Sequence, residues 1–218
     1  MTRKIIFDKR LESLGGRIED LATIEKTDKD TEELFICGSK FFDIEFLKEF
    51  KNLKYLKMLG MNKIKDLTPL KYLENLTHLK IMTWPSWDGS GKRIYYETLE
   101  PISSLNQLEY LWATDIEFLN DGLKPLYKIK SLKNFISMNN YTTEDFALLE
   151  YYRPDIECIY ACAYRELEFE YCLCKKCGTY KIEFSGKEIP RKIFCKNCNK
   201  NKVKQLTERY NEIVKNIK

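Results

Sequence analysis

The sequence predicts an α/β solenoid, with a parallel sheet on its concave side, short helical or 3₁₀ segments on its convex side, and a small module after it. Three observations predict it. An L-x-x-L-x-L-like run recurs through the middle of the chain. Segments with apolar residues three apart precede these runs, and three of the segments carry proline. Finally, two Cys-x2-Cys pairs stand seventeen residues apart in CKKCGTYKIEFSGKEIPRKIFCKNC, residues 174–198.

The runs come first, because a missed repeat misassigns a whole fold. They are Leu53/Leu56/Met58, Leu76/Leu79/Ile81, Leu108/Leu111/Ala113, Leu132/Phe135/Ser137 and Ile156/Ile159/Ala161, with a weaker one at Thr31/Leu34/Ile36. Their starting positions advance by 22, 23, 32, 24 and 24 residues. Alternation at the end of each run is the period of a short strand with one buried face. Pro69, Pro101 and Pro125 each follow a leucine by two residues (Leu67, Leu99, Leu123), and an apolar residue stands four positions beyond each proline (Leu73, Leu105, Ile129). Ile44, Leu47 and Phe50 give the three-spaced pattern without proline. Such spacing fits a short helix or 3₁₀ segment, and proline near its start loses no helical hydrogen bond.

In these residues the chain resembles leucine-rich-repeat proteins of the short, internalin-like class. The resemblance covers about residues 31–163, and NKIKDLTPLKYLENLTHLKI (62–81) is its clearest copy. The ladder asparagine is irregular: Asn140 is in register and Asn62 one residue late. Ala113, Ser137 and Ala161 stand where leucine is usual, so the later repeats are expected to pack less tightly. One repeat cannot bury its apolar face alone; stacking builds a continuous core that needs caps at its ends. Residues 1–30, with IIF and RIEDLATIEK, suit the N-terminal cap. The expected organisation is a cap at 1–30, a solenoid at 31–163, a zinc-ribbon-like module at 164–200 and an amphipathic helix at 201–218.

Strand residues between the buried positions point outward on the concave sheet. They include Phe35, Tyr55, Lys57, His78, Lys80, Met82, Tyr110, Trp112, Met138 and Tyr160. These rows are aromatic and apolar, as contact surfaces are. The bland alternative is that a tail or a neighbouring module covers part of the sheet. The 32-residue step carries about nine extra residues within TWPSWDGSGKRIYYET, 83–98, where Trp84, Trp87, Tyr95 and Tyr96 stand either as anchors for a partner or folded back on the sheet edge.

Zinc favours four soft ligands in a tetrahedron. Cys174, Cys177, Cys195 and Cys198 supply them as a structural site, with TYKIEF and RKIF as two strands of a ribbon; Cys172 is a rival to Cys174. Rubredoxin-like iron and a redox dithiol are the alternatives. Five of the eight cysteines fall between 172 and 198, which argues for metal in a reducing cytoplasm over a secreted disulfide framework. Val203, Leu206, Tyr210, Ile213 and Ile217 then mark one stripe of a helix.

Residues 171–218 hold 13 Lys/Arg against 4 Asp/Glu, whereas residues 1–170 hold 24 against 29. The basic module therefore either caps the solenoid or contacts DNA or RNA. No signal-peptide core or membrane-length apolar run is visible. A single histidine, His78, and the lack of P-loop, dinucleotide, nucleophile-elbow or HExxH patterns argue against an enzyme and against a small-molecule substrate. The expectation is a cytoplasmic protein-binding module, in one version an immunity or regulatory protein. The Lys-, Ile- and Asn-rich composition fits an AT-rich bacterial genome.

Overall fold

A computed structural model describes residues 16–38, 40–84 and 93–217. Two compact units divide between Met138 and Asn139, so the boundary falls ahead of the expected 163/164 junction.

In the first unit the recurring runs become strands. β1 (Glu33–Cys37), β2 (Tyr55–Leu59), β3 (His78–Met82), β5 (Tyr110–Thr114) and β7 (Asn134–Ser137) form one parallel sheet in that order. Register follows the repeat: Leu34, Leu56, Leu79, Leu111 and Phe135 lie side by side. The next inward row is Ile36, Met58, Ile81, Ala113 and Ser137. Both rows are buried throughout.

The apolar-spaced segments become 3₁₀ turns at Glu45–Glu49, Thr68–Tyr72, Glu100–Ser104 and Lys124–Lys128. Proline stands at the start of the last three. Leu47, Leu70, Ile102 and Leu126 bury fully on their inner side. A local signal starts several of these turns. Asp43 Oδ1 accepts the Glu45 N–H at 3.1 Å, Asp66 Oδ1 the Thr68 N–H at 2.7 Å, and Thr98 Oγ1 the Glu100 N–H at 3.0 Å. Short polar side chains that bond two residues ahead favour such turns.

Backbone bonding between repeats is regular. The Glu32 carbonyl accepts the N–H groups of Lys54 and Tyr55, at 2.8 and 2.9 Å. The Lys54 carbonyl accepts those of Thr77 and His78, both at 3.0 Å. The Thr77 carbonyl accepts those of Glu109 and Tyr110, and the Glu109 carbonyl those of Lys133 and Asn134. Cross-repeat side-chain bonds come from Asn75 to the Lys51 carbonyl, Thr77 to the Lys54 carbonyl and Ser131 to the Leu108 carbonyl.

At the first edge, α1 (Leu21–Lys26) is capped by Asp20, whose Oδ1 accepts the Thr23 N–H at 2.9 Å. Ile18 pairs with Ile36 by a parallel bridge, and Ile18 and Ile24 are buried. The described part of the insertion adds a second parallel pair, β4 (Ile94–Tyr96) with β6 (Ile116–Phe118). Tyr96 and Phe118 stack at 6.0 Å and are buried, whereas Tyr95 points to solvent. Of the two tyrosines, Tyr96 is therefore core. Ile94, Tyr96, Ile116 and Phe118 are all buried.

The second unit corrects the last expected repeat. Residues 156–161 do not form a strand: Ile156, Cys158, Ile159, Tyr160 and Ala161 are all buried, so both faces of the run are inside and the alternation is lost. Ahead of them stands α2 (Thr143–Tyr152), closed by a full capping box between Thr142 and Asp145. That box favours a true helix over a 3₁₀ turn, and Pro154 follows its end.

β8 (Tyr164–Glu166), β9 (Lys181–Phe184) and β10 (Ile193–Cys195) form an antiparallel sheet in the order β10-β9-β8. The sequence shows the last two strands; β8 is new. α3 (Lys200–Lys215) packs against α2. Leu206 joins Ile182, Phe184, Ile189 and Phe194 in one core, with Val203 and Tyr164 against it. Tyr210 is buried and donates to Glu150 Oε2 at 2.8 Å. The helix stripe thus docks within this unit. Asn139 ties the unit together: its Nδ2 donates to Glu183 Oε1 and the Phe184 carbonyl, its Oδ1 accepts the Gly186 N–H, and Lys192 Nζ donates to its carbonyl.

Candidate functional sites: a concave aromatic face and a four-cysteine centre

Parallel pairing fixes two rows on the outer face of the five-stranded sheet. One row runs Glu33, Tyr55, His78, Tyr110, Asn134; the other runs Phe35, Lys57, Lys80, Trp112, Ile136. In the first row the rings stack. Tyr55 and His78 have centroids 4.7 Å apart, and His78 and Tyr110 5.6 Å, with planes within 24°. Thr77 Oγ1 lies 2.8 Å from His78 Nδ1. In the second row cations sit on rings: Lys57 Nζ is 4.4 Å from the Phe35 centroid and Lys80 Nζ 3.3 Å from that of Trp112. Such contacts hold flexible lysines in fixed places.

The face is graded, which amends the expectation of rows open to solvent. Lys80 is 2% exposed, Tyr110 3%, Ile136 7% and Trp112 9%. The physical reason is mutual packing. Neighbouring strands lie about 4.8 Å apart, so large residues in one register touch, and Tyr110, Trp112 and Ile136 form a cluster with Phe35 and Tyr55 against it. Trp112 also donates through Nε1 to Thr114 Oγ1 at 3.0 Å. Phe35, Tyr55, Lys57, His78 and Met82 remain partly open, and Met138 is exposed. Tyr160 is elsewhere: it is buried in the second unit, where its hydroxyl donates to Glu183 Oε2 at 3.4 Å. Burial, with Glu183 adding to it, pushes its phenol up to about 12.

Trp84 is 42% exposed and lies over Gly60. Trp87 falls outside the described residues. Gly60 has φ +65°, and a Cβ there would stand 2.0 Å from Trp84 Nε1. Gly60→Ala is therefore expected to destabilise by at least about 1 kcal/mol, from both the left-handed backbone and the clash. The additional substitution Trp84→Ala should restore only the steric part. Equal unfolding midpoints for Gly60→Ala with and without Trp84 would refute that contact.

No Cys/His pair forms on the sheet. His78 shares register with Glu33, whereas Cys37 lies four residues further along β1, about 13 Å away in that direction at the rise of a strand. Cys37 is buried, and burial raises its thiol. Cys162 lies in the second unit, with its Sγ 3.3 Å from the carbonyls of Ile159 and Tyr164.

In the second unit the four predicted cysteines converge. The sulfurs of Cys174, Cys177, Cys195 and Cys198 all lie within 4.8 Å of one another. Cys174 and Cys198 are 3.8 Å apart, Cys177 and Cys195 3.3 Å, and Cys177 and Cys198 3.6 Å. A tetrahedron with metal–sulfur legs of about 2.3 Å has edges of about 3.8 Å, so the set could hold a metal ion. Cys172 is not part of it among the described residues; it ends the 3₁₀ turn Glu170–Cys172.

Local backbone shapes both knuckles. Gly178, at φ +71°, turns the first, and its N–H donates to the Cys174 carbonyl at 2.8 Å while the Cys174 N–H donates to the Thr179 carbonyl at 2.8 Å. Asn199 closes the second, its Oδ1 accepting the Cys195 N–H at 3.2 Å. Thr179 Oγ1 stands 3.1 Å from the Cys177 sulfur and 3.3 Å from that of Cys195. That hydroxyl is the leading cause that lowers both thiols, bringing Cys195 to about 6. Cys198 goes the other way, to about 12, through its bonds to Cys177, Cys195 and Cys174. A divalent ion bound by these four sulfurs would supply the charge that lets all four bind as thiolates.

No protein-family profile and no curated protein matches the chain. Among solved structures, an internalin (inlF) from Listeria monocytogenes is 22% identical, with a TM-score of 0.43 over 62% of this chain and 36% of that one. A second internalin from the same organism is 18% identical, with a TM-score of 0.38 over 56% of this chain and 47% of that one. The chain spans less than half the length of either. The leucine-rich-repeat architecture rests on its own in-register strands and 3₁₀ turns.

Proposed function

We propose that the first unit is a non-enzymatic protein-binding module that takes its partner on the open part of the concave sheet. The observation that carries this reading is the ring row Tyr55–His78–Tyr110, stacked at 4.7 and 5.6 Å beside lysines seated on aromatic rings. Side chains held in place before contact lose little freedom on binding. Aromatic residues backed by a packed cluster are what binding hot spots are built from. Phe35, Tyr55, Lys57, His78 and Met82 make the contact, with Trp84 and Trp87 at the insertion and Met138 beyond. Tyr110, Trp112 and Lys80 hold the floor.

The partner is a protein, and in the sharper version an effector that this chain neutralises or regulates. The four-cysteine centre is read as structural zinc, because four thiolates with no open position suit zinc and leave nowhere for substrate. The compartment is read as a reducing cytoplasm. The described cysteines are all free, and no helix among the described residues is long and apolar enough to cross a membrane.

The test is capture from cells of the source organism with the immobilised chain, followed by affinity measurement on the captured protein. Tyr55→Ala with Lys57→Ala is expected to weaken binding at least about tenfold, at the scale of one hot-spot residue, while the melting temperature moves little. Undiminished affinity in that double variant would move the contact off this face.

A further inference from the structure

We infer that the second unit carries a separate docking site for an extended acidic polypeptide, which adds as a further antiparallel strand beside β10. The site is independent of the concave face. β10 is an edge strand: the sheet order is β10-β9-β8, and no strand lies beyond it among the described residues. Pairing with β9 determines which of its backbone groups are used. The Phe184 N–H donates to the Lys192 carbonyl at 2.9 Å, so Lys192 bonds toward β9. In an antiparallel ladder, bonded and unbonded pairs alternate. Ile193, opposite Glu183, therefore turns its N–H and carbonyl away from β9, and Phe194, opposite Ile182, turns them back. Cys195 faces outward again, but Asn199 Oδ1 accepts its N–H at 3.2 Å. Ile193 thus presents a donor and an acceptor at the open edge, and its side chain is 43% exposed. Edge strands are commonly blunted by charge within the strand, and Ile193–Cys195 carries none.

The flank of this edge is positive. Ile193 lies in the wall of a cleft of about 710 Å³, together with Lys175, Lys176, Lys181 and Arg191, and Glu183 is the one carboxylate in that wall. Ile182 and Phe194 face the core, so their neighbours Lys181, Glu183 and Ile193 share the opposite face. Glu183 is already engaged: Arg165 donates to it through Nε and Nη2 at 2.9 and 2.8 Å, and Asn139 and Tyr160 donate to it as well. Lys175, Lys176, Lys181 and Arg191 differ: among the described residues, no carboxylate forms an ion pair with them. The Arg191 guanidinium is seated 5.4 Å from the centroid of the Phe194 ring. Four uncompensated cations around one neutralised carboxylate attract negative charge.

The backbone groups at the edge choose among anions. A phosphate polymer or a small anion satisfies the cations but brings no paired N–H and carbonyl to Ile193. An extended polypeptide brings both, and main-chain bonds of this kind add strands to open sheets. In an antiparallel pair the residue opposite Ile193 exchanges both bonds with it and carries its side chain on the same face. Every second residue of the added strand therefore lies on the side of the cleft, and these are the residues that carry the carboxylates.

The probe is a fluorescein-labelled peptide of about ten residues, the length of a long strand, in which Glu and Thr alternate. Anisotropy reads its binding to the zinc-loaded full chain at about 50 mM KCl. Lys181→Gln with Arg191→Gln should weaken binding about tenfold, and the gap should narrow at about 500 mM KCl, where screening is stronger. Retained zinc content shows that the unit is intact in that variant. N-methylation of the Glu residues removes the donors aimed at β10, whereas N-methylation of the Thr residues removes donors that face solvent. The first should therefore cost about fivefold more affinity than the second, the worth of one backbone hydrogen bond. An alternating Gln–Thr peptide and an oligothymidylate of equal charge should both bind more weakly than the Glu–Thr peptide. No binding of the Glu–Thr peptide, or equal affinity in the Lys181/Arg191 variant, overturns the site. Equal affinities of the two N-methylated peptides, or the reverse order, overturn strand addition. Gln–Thr peptide or oligothymidylate bound as tightly as the Glu–Thr peptide overturns the acidic polypeptide as occupant.

Discussion

Exchanging Cys195 for Ser is expected to release the metal and unfold the ribbon while the repeats stay folded. Structural zinc contributes about 10–16 kcal/mol in small zinc-binding folds. Here the ribbon's core is only Ile182, Phe184, Ile189, Phe194 and Leu206, with Val203 and Tyr164 at its margin. A core of that size does not hold a small fold without a staple. Native mass spectrometry should find one zinc per chain in the parent protein and none in the variant. Hydrogen exchange should lose protection over residues 164–198 and keep it over β2, β3 and β5. Cys172→Ser should change neither, because that thiol lies outside the cluster. A variant that lost zinc but kept the protection of β9 and β10 would show that the metal does not hold the ribbon.

Trp112→Ala is expected to be the costliest single change on the concave face, and its cost should be paid in stability. The residue is 9% exposed, carries the Lys80 ammonium on its ring and donates to Thr114. Truncating a buried tryptophan costs about 3–5 kcal/mol, which for a chain of this size lowers the melting temperature by about 10 °C. The cost also includes Lys80, left buried without its aromatic partner. Tyr55→Ala, at a half-open position, should lower it far less. Scanning calorimetry on the two variants decides the matter. Equal, small shifts would mean that Trp112 is a surface contact after all.

Much of the fold was legible from spacing alone. Pro69, Pro101 and Pro125 marked three 3₁₀ turns, and the phase of Leu56, Leu79 and Leu111 gave strand register, because a slip of one residue would turn the buried row outward. The Cys-x2-Cys pairs identified the four converging thiols. What escaped depended on partners far along the chain. Asn139 acts through Glu183, Phe184, Gly186 and Lys192, which are 44 to 53 residues away. β8 has only three residues and no alternation in its burial. The last repeat failed for a local reason that was readable: Thr142 and Asp145 spell a capping box three residues apart. The burial of Trp112 and Tyr110 escaped because periodicity gives a side chain's direction and not its neighbours' size.

The paired N–H groups on one carbonyl per repeat carry a consequence for how this chain can change length. Glu32, Lys54, Thr77 and Glu109 each present the same acceptor to the same two donors of the following turn. Removing residues 55–77 would place His78 after Lys54, and the Glu32 carbonyl would again meet two consecutive N–H groups. Whole turns are thus interchangeable units, and the length between one carbonyl and the next can vary as long as the two donors return to it. Across the long step between β3 and β5, Glu109 and Tyr110 still find the Thr77 carbonyl. Growth and shrinkage by complete coils, with free variation between them, is the grammar in which this scaffold can acquire a new reach.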